Sequence, residues 1–196
     1  MEEVKILIAC EESQIVCKAF RDRGHEAYSC DILPTRGNPF WHFRQDITKL
    51  LDSYQDDYWD LVILHPDCTK MAVSGNRWYG RGTPGHQERQ EAIEWTITLW
   101  ELAVNKSKST CLENPISVIF KYLAYQKLQY IQPWMFGHGE TKKTGLALFN
   151  LPELEPTNMV EGREQRIWKM PPGENRKRDR SETFQGIADA FAEQWG

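Results

Sequence analysis

The sequence predicts an α/β domain: one mostly parallel sheet with helices on both faces. Three observations predict it. Short strand-like runs recur along the chain, at 4–9, 26–30, 61–64 and 109–112. Amphipathic or well-delimited helical stretches separate them, and strands alternating with helices favour a parallel sheet covered on both sides. The polar residues of interest fall at the carboxyl ends of the runs, where ligands sit in such sheets.

In order, residues 4–9 (VKILIA) are continuously apolar, as in a strand buried on both faces. Residues 13–23 read as a helix with Ser13 as N-cap, Ile15, Val16, Ala19 and Phe20 on one face, and Gly24 as its stop. A short strand at 26–30 ends at Asp31, and a Pro/Gly/Trp-rich loop leads to a third short strand at 43–47. Residues 61–64 (LVIL) form the next buried strand, ending at His65-Pro66-Asp67-Cys68. A long helix is expected over 84–104, since Ile93, Ile97, Trp100 and Val104 share a stripe. The strand at 109–112 is expected to end in a Glu113-Asn114-Pro115 turn, followed by a strand at 144–149 and a closing helix at 182–194. Residues 150–180, proline-rich and charged, read as a basic loop.

The 196 residues suit one domain spanning 1–196, and 40% hydrophobic with 27% charged residues excludes wholesale disorder. No apolar run is long enough to span a membrane, and the acids at the N-terminus precede the apolar run, the wrong order for a secretory signal. A net charge of -4 argues against a globally basic nucleic-acid coat but leaves local basic patches open. Five cysteines without a CxxC argue against a disulfide framework or zinc ribbon and for a reducing cytoplasm.

Cys68 is the sharpest chemical candidate: a thiol just after a buried strand acts as a nucleophile if its pKa is lowered or the site closes over it. The other reading is a buried structural cysteine, as for the remaining four. Glu113 at a dry strand end is expected to have a raised pKa and to donate a proton to a ring nitrogen, or else to be a loop acid. Asp31 stands where related folds bind ribose hydroxyls. The first turn, Cys10-Glu11-Glu12-Ser13, lacks a glycine-rich phosphate loop, and its two carboxylates disfavour a pyrophosphate while tolerating a cationic ligand. Arg163, Arg166, Lys169, Arg176, Lys177, Arg178 and Arg180, interleaved with Trp168, read equally as a solvated loop or a phosphate-contacting flap.

Taken in order, these residues resemble the cytosine-C5 methyltransferases, including short, phage-type members. The stretch DLVILHPDCTKMAVSGNR resembles that family's catalytic loop, and Glu113-Asn114-Pro115 its Glu-Asn-Val. Asp31 matches the ribose-binding acid, Gln45-Asp46-Ile47-Thr48 the turn that meets the adenine, Thr141-Lys142-Lys143 the basic motif, and SETFQGIADAFAEQW the last motif. The resemblance covers most of 4–149 and 181–195. It departs from the family at the first turn, at Asp67 before the cysteine, and at the roughly 30-residue stretch that stands in place of a large target recognition domain.

The resemblance implies a single Rossmann-like methyltransferase domain that uses S-adenosylmethionine, which carries an ammonium and a sulfonium and no phosphate. It implies Cys68, Glu113 and Asn114 as catalytic, and Cys10, Glu11, Glu12, Ser13, Asp31, Ile32, Asp46, Ile47 and Pro66 as cofactor-binding. Arg77, Lys142 and Lys143 would contact substrate, a cytosine or other pyrimidine in DNA or in a nucleotide. The small flap favours a single strand, a free nucleotide or a partner-delivered target over sequence-specific duplex reading. Two alternatives stay open. One is a catalytically altered binding protein on this scaffold that holds a nucleotide or a host partner, a viral factor being one such case. The other is a metal-dependent hydrolase built on Asp31, Asp46, His65 and Asp67.

Overall fold

The structure is a computed structural model that describes residues 3–174 and 176–196. The chain opens with strand β1 (Lys5–Ala9), helix α1 (Ile15–Asp22) and strand β2 (Glu26–Asp31). Strand β3 (His42–Arg44), helix α2 (Ile47–Asp52) and strand β4 (Trp59–Leu64) follow. A short helix α3 (Asn76–Tyr79) precedes the long α4 (His86–Lys106), then come strands β5 (Ser107–Pro115), β6 (Lys127–Ile131) and β7 (Thr144–Phe149). The chain closes with α5 (Arg166–Lys169), α6 (Arg176–Ser181) and α7 (Gln185–Gln194).

The strands form one sheet in the order β3-β2-β1-β4-β5-β7-β6. The first five are parallel, while β7 runs antiparallel to both β5 and β6. The central strands are apolar on both faces because each face carries its own core. Ile6, Ile8, Leu61 and Ile63 pack toward α1 and α7 with Phe20, Phe191 and Trp195. Leu7, Ala9, Val62 and Leu64 pack toward α2 and α4 with Leu51, Trp59 and Trp100. The expected α/β fold with helices on both faces is what the chain adopts.

Three expected boundaries change for physical reasons. Ser13 does not cap α1. Gln14 holds the N-cap position in a left-handed conformation, and the buried Glu11 carboxylate accepts the Val16 and Cys17 N–H groups at 2.7 and 3.2 Å. Glu113-Asn114-Pro115 is not a turn but the end of β5, prolonged because β7 pairs with it as far as Pro115↔Thr144. The expected strand at 43–47 is cut to His42–Arg44, because Asp46 instead caps α2, accepting the Thr48 and Lys49 N–H groups.

The order of strands reverses between β1 and β4, which run side by side in the middle of the sheet. The loops leaving these two strands therefore diverge and open a crevice at the sheet's carboxyl edge. Into it fall the first turn after β1 and the His65-Pro66-Asp67-Cys68 segment after β4.

Candidate active site

The crevice has two electrostatic halves. On the β1–β3 side, the Cys10 thiol is pushed well above its ordinary value by burial and by the negative charges of Asp31, Asp46 and Asp67. Those acids thus converge from the ends of three strands onto one spot. Asp31 is itself raised, by burial first and by Glu12, while its Oδ1 accepts the Leu33 N–H at 2.8 Å. Asp46 is lowered, mainly by its hydrogen bond from Thr48. Ile32, next to Asp31, is 70% exposed and so available to a ligand, whereas Ile47, the first residue of α2, is buried in the core.

The two acids of the first turn are largely engaged by the fold. Glu11 caps α1 and accepts from Ser13 Oγ at 3.3 Å. Its carboxyl is raised by burial, against relief from His65 and the amide hydrogen bonds. Glu12 forms a two-point pair with Arg36, whose guanidinium also reaches Glu182 at 2.7 Å. Gln14 joins the 35–41 loop to this turn through Asn38 and Ser29. Cys10 takes φ +61°, the left-handed conformation that a glycine would adopt without strain.

On the β4–β5 side, Leu64 pairs with Leu112, so His65 and Glu113 are the next residues out on adjacent strands. Their side chains meet, His65 Nδ1 to Glu113 Oε2, at 3.0 Å. Burial pushes the Glu113 carboxyl upward, but the His65 hydrogen bond and charge, with Lys142, outweigh it and hold the carboxyl below its ordinary value. The raised pKa expected for a dry strand end is thus reversed by a histidine partner. Cys68 is half-buried, and burial raises its thiol, with Glu113 and Asp67 adding to the shift and Lys142 opposing it. Asn114, fully buried, donates from Nδ2 to the Pro66 carbonyl at 3.1 Å and ties the β5 end to the Cys68 segment. Asn114 Oδ1 and His65 Nε2 are buried with no hydrogen-bond partner among the described residues.

The expected residues therefore divide. Cys68, Glu113, Asn114, Pro66 and Lys142 come together, and Cys10, Asp31 and Asp46 form the neighbouring acidic half. Lys143 turns away, its ammonium 4.6 Å from the Tyr130 ring. Arg77 lies over the indole of Trp78 at 5.2 Å. In the basic stretch Arg166 pairs with Glu140, Arg163 covers the Trp134 ring at 4.0 Å, and Arg178 pairs with Asp179. The side chains of Trp168 and Lys177 lie outside the described residues. Among the described residues, no group of three His, Cys, Asp or Glu side chains is placed to hold a metal ion, Asp31, Asp46, His65 and Asp67 included. No described helix is long and apolar enough to cross a membrane.

Sequence reasoning misses Arg89. It is buried on α4, and its guanidinium donates to the Lys70 carbonyl at 2.6 Å, Asn76 Oδ1 at 2.7 Å and, more weakly, the Ala72 carbonyl at 3.4 Å. The signal was a charge four residues before Ile93, on the apolar stripe of the helix. Arg89 holds the loop after Cys68 in place, and an Ala72↔Ser117 bridge pins the same loop beside β5. Arg89→Met removes a buried fork of charged donors and should lower unfolding stability by about 3 kcal/mol, judged from hydrogen bonds to charged groups. Arg89→Lys should recover less than half, since an ammonium cannot reach all three acceptors. Equal urea midpoints for Arg89→Met and wild type would show that the loop is held by other contacts.

No protein-family model matches the chain, and no curated protein sequence matches it. Among solved structures it is similar to a prophage-encoded E. coli protein assigned as a DNA modification methyltransferase, at 8% identity and TM-score 0.52 over 81% of this chain and 52% of that one. It is also similar to a methyltransferase of Entamoeba histolytica, at 11% identity and TM-score 0.51 over 84% of this chain and 58% of that one. The chain thus spans slightly more than half the length of the structures it matches. What it shares with them at this identity is the architecture: the chain has a methyltransferase fold.

Proposed function

We propose that the chain is an S-adenosylmethionine-dependent C5-methyltransferase acting on a pyrimidine of a nucleic acid or nucleotide. The observation that carries this reading is the convergence of Cys68 and Glu113 from adjacent strands, beside an acidic half that fits a cationic, ribose-bearing ligand. Asp31, Asp46 and Asp67 all bear on Cys10, an acidic setting that suits an ammonium and a sulfonium, and Asp31 at the end of β2 would accept hydrogen bonds from ribose hydroxyls. When bound there, S-adenosylmethionine would supply an electrophilic methyl group.

Pyrimidine C5 is a poor nucleophile. The Cys68 thiolate would add to C6, forming an S–C bond and making C5 enamine-like. Glu113, sharing a proton with His65, would hold N3 as charge develops there. Asn114 fixes the distance between the β5 end and the Cys68 segment. Lys142 lies close enough to lower both ionisable groups and would keep the thiolate and carboxylate from excluding each other. After the methyl group is in place, loss of the C5 proton restores the double bond and expels the thiolate.

A second reading, a binding protein on the same scaffold, is favoured by one observation: in the resting protein the thiol is raised and the carboxyl lowered, both opposite to the states that attack requires. Calorimetry against S-adenosylmethionine and S-adenosylhomocysteine separates the two. Binding of both is expected, and Asp31→Ala should weaken it by about 1.5–3 kcal/mol, the loss of hydrogen bonds to a charged acceptor. No binding of either ligand by the wild type would leave the binding-protein reading.

A further inference from the structure

Trp78 is 65% exposed, although it sits on the short helix α3 within a tightly held segment. Its carbonyl accepts from Thr83 Oγ1 at 2.7 Å, and the Gly80 N–H donates to the Asn76 carbonyl at 2.9 Å. A Cβ at Gly85 would lie 2.7 Å from the Trp78 carbonyl oxygen, so the backbone there is packed without slack. The neighbouring Tyr79 ring faces inward against Gly75 and Gly85, which leaves Trp78 as the side chain the loop presents. A large aromatic held outward by an ordered backbone is an unfavourable arrangement unless something covers it.

The charges around it say what would. Arg77 stacks its guanidinium 5.2 Å from the indole centroid. Arg77 and Arg81 are exposed, and neither has a carboxylate partner among the described residues, whereas Lys70 on the same loop is paired with Glu88. An exposed indole with one guanidinium over it and a second three residues on, neither paired with a carboxylate among the described residues, matches a stacked base followed by its phosphates, and does not match an acidic or an uncharged apolar partner equally well. Val73 and Ile116, both exposed, meet where the Val73 N–H donates to the Ile116 carbonyl at 2.9 Å, and so carry an apolar rim from this loop to the end of β5.

We infer that the loop from Pro66 to Gly85 is a docking surface for single-stranded nucleic acid, with Trp78 stacking an unpaired base and Arg77 and Arg81 contacting the adjoining phosphates. The surface deepens the methyl-transfer reading, on which it rests for the target base alone: a strand held on Trp78 delivers a pyrimidine to the crevice without a duplex having to be opened. Stacking tolerates any base, so affinity here is broad in sequence and steep in salt.

The test is fluorescence anisotropy with labelled 12-nucleotide single-stranded DNA, the same sequence as RNA, and the corresponding duplex. Single strands should bind at least about tenfold more tightly than the duplex, and Trp78→Ala should weaken them roughly tenfold, with Trp78→Phe recovering most of the loss. Arg77→Ala with Arg81→Ala should reduce the slope of log affinity against log salt by about 1.4, the value for two phosphate contacts on a single strand. The DNA and RNA arms identify which strand is preferred. Equal affinity of Trp78→Ala and wild type, or duplex binding as tight as single-strand binding, overturns the inference. So does a Trp78→Ala variant whose only change is loss of self-association in light scattering, since Trp78 would then be a contact between copies of the chain. The readout needs no methyl transfer. Strand binding without any transfer activity supports this surface and rejects the chemistry, while transfer unaffected by Trp78→Ala rejects this surface alone.

Discussion

Cys68→Ser should abolish methyl transfer, a loss on the order of 10³-fold or more as expected when a nucleophile acting within a unit is removed. S-adenosylhomocysteine binding should be unchanged, because the acidic half of the crevice gathers around Cys10, Asp31 and Asp46 rather than around Cys68. The pH dependence carries a sign. Burial, Glu113 and Asp67 raise the Cys68 thiol above its ordinary 9.0, so at neutral pH nearly all of it is protonated. The thiolate fraction, and with it the rate, should climb about tenfold per pH unit through and beyond pH 9. Lys142→Ala removes a cation that opposes the shift and should move the whole profile further alkaline. A 5-fluorocytosine substrate should trap a covalent adduct in wild type, since fluorine cannot leave as a proton does, and intact-protein mass spectrometry reads it directly. A profile flat from about pH 7 to pH 10 would show that no raised thiol controls the rate. Full activity in Cys68→Ser would leave only a binding role for the crevice.

How far this site can be read from sequence depends on what kind of signal each part leaves. Strands buried on both faces announce themselves as unbroken apolar runs, and β1, β4 and β7 emerge close to their true limits for that reason. β6 (KLQYI) does not: an edge strand with Lys127 and Tyr130 exposed carries no apolar run, and β7 alone gives it a partner. Helix α2 is only six residues long, and its local signal, Asp46 before Ile47-Thr48, resembles a ligand-contacting turn in sequence, while the carboxylate caps the helix from the same position. The chemistry shows the same division. Cys68 and Glu113 are visible because they sit one step past apolar strands. Their partners are not visible. His65 meets Glu113 only because Leu64 and Leu112 are in register, and register is a property of two strands rather than of one segment. Arg36 bridges Glu12, 24 positions before it, and Glu182, 146 positions after it, a link that no local pattern encodes.

The His65–Glu113 pair gives the other large expected effect. Glu113→Gln keeps the shape of the side chain but cannot share a proton, and should slow methyl transfer by at least about 10²-fold, the lower range for a lost general acid. His65→Phe acts differently, because it changes where the carboxyl titrates. In the wild type, burial is the largest single influence on Glu113 and raises it, and the two contributions of His65 with that of Lys142 bring it below 4.5. Without the histidine, burial prevails over Lys142 and the carboxyl moves above its ordinary value. Linkage then reverses sign. In the wild type, Glu113 contributes stability above its unfolded pKa near 4.5, and that contribution is lost as pH falls through the lower folded value. In His65→Phe the folded carboxyl prefers its proton, so its contribution is present below pH 4.5 and is lost as pH rises through the raised value. Glu11, already raised by burial and relieved by His65, moves in the same direction. Urea midpoints measured across acid and neutral pH should therefore fall toward acid in the wild type and fall toward neutral in the variant. Parallel midpoint curves for the two proteins would show that His65 does not set the charge on Glu113, and the pair would then be a structural contact at the edge of the sheet.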